Sequence, residues 1–153
     1  MHSLELKIPP LVVVVLVATL MWFGSQAAPV AIFQVPARQT IALVLAAVGV
    51  GTAVAGVASF RIARTTVNPL NPAAASALVT SGVYQLTRNP MYLGALILLI
   101  GWAAFLGNAL AFILVPSYVL YLNRFQIGPE EKALTSLFTS EFTAYCAKVR
   151  RWL

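Results

Sequence analysis

The chain has 153 residues, of which 60% are hydrophobic and only 9% are charged, and its mean hydropathy is +0.87. Soluble domains carry about a quarter charged residues, so this composition excludes an ordinary soluble domain and indicates a membrane protein. The formal charge of +6 comes without the interleaved basic and aromatic residues of a nucleic-acid-binding module, so nucleic acid is not the expected partner.

Four uncharged apolar runs are predicted to cross the membrane. A bilayer core needs about 20 apolar residues in a straight helix, and the third and fourth runs are somewhat shorter. We expect these two to form a helical hairpin turned by Gly107 and Asn108. The predicted spans are residues 10–23, 40–60, 91–106 and 109–123.

The first span has two interpretations. Small residues follow it in the sequence GSQAAPVA, residues 24–31, as they do at a signal-peptide cleavage site. The leading segment, however, has one lysine offset by one glutamate, and three more apolar runs follow. These features favour a retained membrane anchor over a cleaved signal peptide.

The basic residues predict the orientation of the chain. If the first span starts in the cytoplasm, only Arg38 of the 10 lysines and arginines lies outside. This distribution is a strong positive-inside bias, and the net charge is then a topology signal and a contact with anionic lipid. We expect an integral protein of the bacterial inner membrane with both termini in the cytoplasm.

The cytoplasmic loop, residues 61–90, runs without a charge from Thr65 to Thr87. Loops this long are uncommon in compact proteins and are usually functional. Irregular backbone near a membrane is tolerated where protein buries it or where it lines a cavity. We therefore expect this loop to pack over the helix ends and to help form a pocket.

The tail is predicted to be an amphipathic cytoplasmic helix over residues 129–149. Pro129 suits the first helical position, and Glu130 and Glu131 suit the first turn, where the helix dipole favours negative charge. Glu141 falls near the centre of the apolar stripe, so all three carboxylates are expected to face the membrane domain. The apolar stripe is Leu134, Leu137, Phe138, Phe142, Tyr145 and Val149.

Metal and disulfide chemistry are not expected. Cys146 is the only cysteine and His2 the only histidine. Neither an intrachain disulfide nor a cysteine and histidine metal cluster can be built from them.

Two segments together resemble the isoprenylcysteine carboxyl methyltransferase family. They are SGVYQLTRNPMYLG, residues 81–94, and the tail, residues 127–153, with a hydrophobic hairpin between them. The family pattern is a glycine-x-tyrosine, Arg-His-Pro-x-Tyr-x-Gly, a Glu-Glu pair and an aromatic terminal helix. It falls here on Gly82, Tyr84, Arg88, Asn89, Pro90, Tyr92, Gly94, Glu130, Glu131, Phe138, Glu141 and Tyr145.

This resemblance implies an all-helical membrane enzyme that binds S-adenosylmethionine from the cytoplasm and methylates a lipid-borne acceptor. The membrane phospholipid methyltransferases look similar and share the cofactor. Two positions depart from the family pattern. Asn89 replaces a histidine and cannot carry a proton, and Gln126 stands where the prenylcysteine enzymes tend to carry arginine, two residues from Arg124.

The resemblance also implies a set of site residues. Arg88, Tyr92 and Arg124 are the candidate catalytic residues, and Arg88 can bind a carboxylate through its planar fork. The adjacent Glu130 and Glu131 are natural partners for the cofactor ammonium or ribose hydroxyls. The candidate cofactor-binding residues are Tyr84, Asn89, Pro90, Tyr92, Gly94, Glu130 and Glu131.

Each of these residues also has a purely structural interpretation. Arg88 can be a positive-inside anchor, the tyrosines can be interfacial aromatics, and the acid pair can simply start a helix. The expected acceptor is the carboxylate of an isoprenylcysteine-like substrate, with a lipid amine as the alternative. A catalytically silent scaffold is the rival that Asn89 favours. A nicotinamide reductase is less expected, since no G-x-G-x-x-G turn occurs.

Overall fold

Helices form the architecture of the described part of the chain. The computed structural model describes residues 4–32, 34, 36–66 and 68–153, and His2 lies outside them. Apart from one isolated bridge between Ile32 and Asn108, the regular elements described are helical, which confirms the all-helical class. They are α1 (Pro10–Ala27), α2 (Arg38–Ile62), α3 (Pro90–Leu106), α4 (Ala109–Leu122) and α5 (Gly128–Lys148), with short 3₁₀ turns between some of them and a π-helical turn, Asn123–Ile127, between α4 and α5.

Three helical segments are long and apolar enough to cross a membrane. They are α1, α2 and the segment Ala109–Lys148, whose apolar part is α4; α3 is shorter, with 17 residues. The chain is therefore a membrane protein, and the number of crossings stays a prediction. Helix α1 runs to Ala27, past the predicted end at residue 23, and the Ser25 hydroxyl is satisfied there by donating to the Trp22 carbonyl at 2.7 Å.

Helix α2 packs against α3 through glycines. A Cβ atom added to Gly49 would lie 2.6 Å from the Gly94 carbonyl oxygen, and one added to Gly101 would lie 3.0 Å from Leu45 Cβ. Small residues let membrane helices approach closely, and the gain is van der Waals contact between their backbones. This contact fixes the start of α3 beside the end of α2, where the candidate site lies.

A turn joins α3 to α4 at the predicted residues. Gly107 has a φ of 60°, which favours glycine. Asn108 caps α4, since its Oδ1 accepts from the Leu110 amide at 2.9 Å, while its Nδ2 donates to the Ala28 carbonyl at 3.0 Å. The predicted hairpin turn is confirmed, and Asn108 also connects it to the end of α1.

The sequence predicts that α5 starts at Pro129. In the structure a π turn instead makes α5 continuous with α4. A proline has no backbone N–H, so the Phe125 carbonyl loses its normal donor four residues on. The carbonyl accepts instead from the Leu6 amide at 3.0 Å. The π turn rotates the helix, and the rotation decides which of its side chains face the cavity.

Helix α5 also breaks at Phe138 and Thr139, where the backbone is not helical. Beyond the break, Phe142 and Tyr145 are buried in a cluster under the loop. Glu141 is exposed, so the expectation that it faces the membrane domain was wrong. The expectation assumed one apolar stripe along the whole helix. The break interrupts that stripe, so residues beyond it face other directions.

Candidate functional site

A cavity lies where the end of α2, the start of α3 and α5 meet the loop between α2 and α3. Its enclosed volume is about 110 Å³, and the space including the open mouth is about 850 Å³. Eleven residues of the loop line it, which agrees with the expectation that this loop helps form a pocket. The lining residues are Phe60, Thr66, Asn68, Pro69, Pro72, Ala75, Ala77, Leu78, Val79, Tyr84, Arg88, Asn89, Met91, Tyr92, Glu130, Glu131, Leu134, Phe142 and Tyr145.

The start of α3 is held by the C-terminal segment of the chain. Pro90 opens the helix, and the side chain of the preceding Asn89 does not cap it. The Asn89 amide donates instead to the Arg151 carbonyl at 2.9 Å, which also accepts from the Thr87 hydroxyl at 3.2 Å. The Arg88 amide donates to the Arg150 carbonyl at 3.0 Å. These bonds hold one edge of the cavity in place.

Glu131 is paired with two arginines. Arg88 Nη2 lies 3.0 Å from its Oε1, and Arg151 Nη2 lies 2.5 Å from its Oε2. Arg151 Nε adds a bond to Oε1 at 3.1 Å, and hydrogen bonding to Glu131 raises the pKa of Arg151. Both oxygens of Glu131 are thereby engaged. Arg88 Nε, in contrast, is buried and has no hydrogen-bond partner among the described residues.

Glu130 has a different environment from its neighbour. Its Oε1 accepts from the Tyr92 hydroxyl and from Gln126 Nε2, both at 2.6 Å, whereas no described residue bonds to its Oε2. Burial raises the pKa of Glu130 to about 7, although both hydrogen bonds lower it. Gln126 Nε2 also donates to the Pro69 carbonyl at 2.6 Å, so one amide connects the carboxylate to the loop.

Aromatic side chains form the opposite wall. Tyr84 packs edge-to-face on Phe60, with ring centroids 5.4 Å apart, and its carbonyl accepts from the Tyr145 hydroxyl at 2.6 Å. Burial raises the pKa of Tyr84 and raises that of Tyr145 to about 12. Both rings are therefore neutral at physiological pH. They contribute apolar surface, and the Tyr145 hydroxyl is already used to hold the Tyr84 backbone.

Six of the predicted site residues line the cavity, and three do not. Arg124 is 52% exposed, pairs with Glu5 at 2.7 Å and is not among the lining residues. Gly94 faces α2, and the buried Pro90 lies against Gly56. The structure thus does not bring these three to the cavity. The six residues that do line it are Tyr84, Arg88, Asn89, Tyr92, Glu130 and Glu131.

Two residues near the cavity were not predicted to belong to the site. Gln126 lies four residues before Glu130, a spacing that places the two on one helix face. From the sequence, Gln126 was noted only as a departure from the family pattern. Arg151 follows the last helix, where no periodic pattern signals a contact. Its pairing with Glu131 joins positions 20 residues apart.

The donor set fits the cofactor that the resemblance implies. S-adenosylmethionine offers ribose hydroxyls, one of which can donate to Oε2 of Glu130 and leave a second lone pair of that oxygen open. Its carboxylate matches the buried, unpartnered Nε of Arg88, and its adenine matches the aromatic wall. Glu131 can bind the cofactor only if Arg151 moves away from its oxygens.

Comparison with known proteins places the chain in a family. The sequence profile of the phospholipid methyltransferase family matches residues 37–141, more than half of the chain. An uncharacterized protein of Haemophilus influenzae is 48% identical over 63 residues, which cover 41% of this chain and 100% of that protein. No solved structure matches significantly.

The family match agrees with the resemblance carried by Arg88, Tyr92 and the Glu130 and Glu131 pair. The phospholipid and isoprenylcysteine carboxyl methyltransferases form one group of membrane methyltransferases, which typically use S-adenosylmethionine. The chain, with its apolar helices, belongs to the phospholipid methyltransferase family of integral membrane proteins.

Proposed function

We propose that this chain binds S-adenosylmethionine in the cavity and transfers its methyl group to an acceptor that enters from the bilayer. The observation that carries the proposal is the position of Glu130 and Arg88 at the ends of apolar helices, in a cavity with largely apolar walls. A site built there is open to a lipid-borne acceptor. The basic residues support a location in the bacterial inner membrane, with the cavity and both termini on the cytoplasmic side.

When bound, S-adenosylmethionine supplies an electrophilic methyl group on a sulfonium. The residues of this chain align the acceptor and exclude water from it. Phe60, Tyr84 and Phe142 provide the apolar walls. Tyr92 and Gln126 hold Oε1 of Glu130, so that the other oxygen of this carboxylate keeps a fixed orientation.

We propose a lipid amine as the acceptor. An ammonium must lose a proton before its nitrogen can accept a methyl group, and a carboxylate with a pKa of about 7 is suited to take that proton. Glu130 has this pKa, and no described residue bonds to its Oε2. The two guanidinium groups nearby are paired with Glu131, and the remaining Nε of Arg88 matches the carboxylate of the cofactor, so little positive charge is left for an acceptor carboxylate.

A carboxylate acceptor is the second candidate, and the resemblance to the isoprenylcysteine enzymes favours it. The buried and unpartnered Nε of Arg88 is the observation that supports it, because an acceptor carboxylate can take that bond. The silent-scaffold alternative was based on Asn89 in place of a histidine, and the contact that Asn89 makes weakens this argument. The amide of Asn89 bonds to the Arg151 carbonyl, a contact that needs no proton transfer.

The test uses the chain in lipid nanodiscs with S-adenosylmethionine that carries tritium in its methyl group. One sample contains a phospholipid with a primary amine headgroup, and another contains a prenylated cysteine. Base releases the methyl of an ester as volatile methanol but leaves an N-methyl group on the non-volatile headgroup. We expect base-stable label in the amine lipid.

Glu130→Gln should lower the rate of this incorporation by about 10² to 10⁴, and Glu141→Gln, a matched change at an exposed carboxylate, should retain it. Base-labile label in the prenylated cysteine would replace the amine with the carboxylate acceptor. No label in either sample from folded protein would overturn the enzymatic proposal.

A further inference from the structure

A second, apolar groove lies toward the opposite ends of the helices from the candidate site. Helices α1 and α2 both pack on α3, and the groove runs between them over α3. Its open space is about 1080 Å³. The residues that line it are Val14, Ala18, Gln39, Ala42, Leu43, Ala46, Leu98, Leu99, Gly101, Trp102 and Phe105.

Small and fixed side chains give the groove its shape. Ala42, Ala46 and Gly101 leave room on α2 and α3, while the Trp102 indole is fixed on the α1 side by donating to the Ala18 carbonyl at 3.1 Å. The α3 part of the groove, residues 98–105, is about 10 Å long at a rise of 1.5 Å per residue. All the lining residues except Gln39 are apolar, so a hydrocarbon chain is the chemistry that fills the groove.

A positive charge stands at the mouth of the groove. The Arg38 guanidinium lies over the Phe105 ring, 6.0 Å from its centroid, and Phe105 lines the groove. No carboxylate in the described ranges pairs with Arg38. A guanidinium binds phosphate through its planar fork, so an anionic headgroup complements this mouth and a chain complements the groove.

We propose that the groove binds one anionic phospholipid, with its phosphate on Arg38 and one acyl chain against Trp102 and Leu99. The lipid fills the space between α1 and α2 and stabilises their arrangement. This site is separate from the candidate catalytic cavity, and it does not depend on the methyltransferase proposal. One arginine near the headgroups should favour an anionic over a zwitterionic lipid roughly fivefold.

Fluorescence quenching tests the proposal. Trp22→Phe and Trp152→Phe leave Trp102 as the only tryptophan in the full chain, which is placed in phosphatidylcholine vesicles. Phosphatidylglycerol with brominated chains should quench half of the Trp102 fluorescence at a low mole fraction. Phosphatidylcholine with brominated chains should need a mole fraction roughly fivefold higher for the same quenching. Arg38→Gln should remove this difference, whereas the matched Arg61→Gln, at the other end of α2, should keep it.

A second variant tests the groove without changing Arg38. Ala46→Phe places a ring in the chain path and should weaken the quenching by both lipids. The natural sequence should also melt at a higher temperature when phosphatidylglycerol is added, and Arg38→Gln should lose that gain. This measurement needs no tryptophan substitution and remains informative if the double variant folds poorly.

Two results would overturn the proposal. Equal quenching by both lipids, unchanged in Arg38→Gln, would mean ordinary boundary lipid. Shielding of Trp102 at every lipid content, together with a dimer in sedimentation, would place a second copy of the chain in the groove.

Discussion

At the scale of single residues, two adjacent glutamates have different environments. Both oxygens of Glu131 are engaged by Arg88 and Arg151, so this carboxylate connects α5 to α3 and to the C-terminal segment. Glu130 receives only neutral donors, and one of its oxygens has no partner among the described residues. We infer that Glu131 maintains the shape of the site and that Glu130 is the group that can exchange a proton.

The pH dependence of methyl transfer tests this division. Burial raises the pKa of Glu130 to about 7, so its carboxylate form dominates above that pH. Transfer to an amine should therefore rise as the pH increases through about 7 and then level off. Glu130→Gln should remove this rise and lower kcat by about 10² to 10⁴, while Glu141→Gln should preserve it. A profile of the natural protein that is flat across pH 7 would refute the role of Glu130 as a base.

The hydroxyl of Tyr92 sets the midpoint of that profile. Its bond favours the charged form of Glu130, so Tyr92→Phe should raise the pKa of Glu130 and move the midpoint upward by about one unit, given the usual strength of a bond to a charged group. Tyr121→Phe is the matched control, because the buried Tyr121 hydroxyl has no hydrogen-bond partner in the described part of the chain. Equal midpoints in the two variants would contradict the assigned contact.

At the scale of elements, the contact between α2 and α3 positions the cavity. Gly94→Ala should push the helices apart, because its Cβ would clash with the Gly49 carbonyl. Overpacking of this kind costs roughly 1–3 kcal/mol. Gly51→Ala is the matched control, with nothing within 4 Å of its Cβ, and it should be neutral or slightly stabilising. Thermal melts in detergent compare the two, and equal melting temperatures would contradict this packing.

Local patterns were sufficient to predict the helices and the hairpin turn at Gly107. Apolar runs of sufficient length form helices in a membrane, and a glycine followed by a capping asparagine ends one helix and starts the next. The join between α4 and α5 was not predictable in the same way. It depends on the Leu6 amide, which is distant in sequence and satisfies the carbonyl left without a donor by Pro129.

Contacts between residues distant in sequence also limited the prediction of the site. Arg88, Tyr92 and the Glu130 and Glu131 pair were predicted because family motifs contain them, and all four line the cavity. The π turn directs Gln126 toward the cavity and leaves Arg124 exposed, so the structure does not bring the predicted Arg124 to the site. Contacts between positions 87–89 and 150–151 join segments more than 60 residues apart, and no periodic pattern in the sequence reports them.

At the scale of the whole molecule, the charges are distributed unevenly between the two ends of the helices. Arg38 is the only basic residue predicted on the outer side, and this distribution predicts cytoplasmic termini. In a Cys146→Ser background, an impermeant maleimide added to intact cells should label Gln34→Cys. It should reach Lys148→Cys only after the cells are opened. The opposite pattern of labelling would reverse the proposed orientation and move the cavity to the outer face.

The measurement that tests the central claim most directly is calorimetric titration of the detergent-purified chain with S-adenosylmethionine and S-adenosylhomocysteine. We predict saturable binding of both. Glu130→Gln and Arg88→Ala should each weaken it about tenfold or more, a loss of roughly 1.4 kcal/mol, and Arg61→Ala should leave it unchanged. Circular dichroism confirms that each variant is folded. Absence of binding by the folded natural chain would contradict the account.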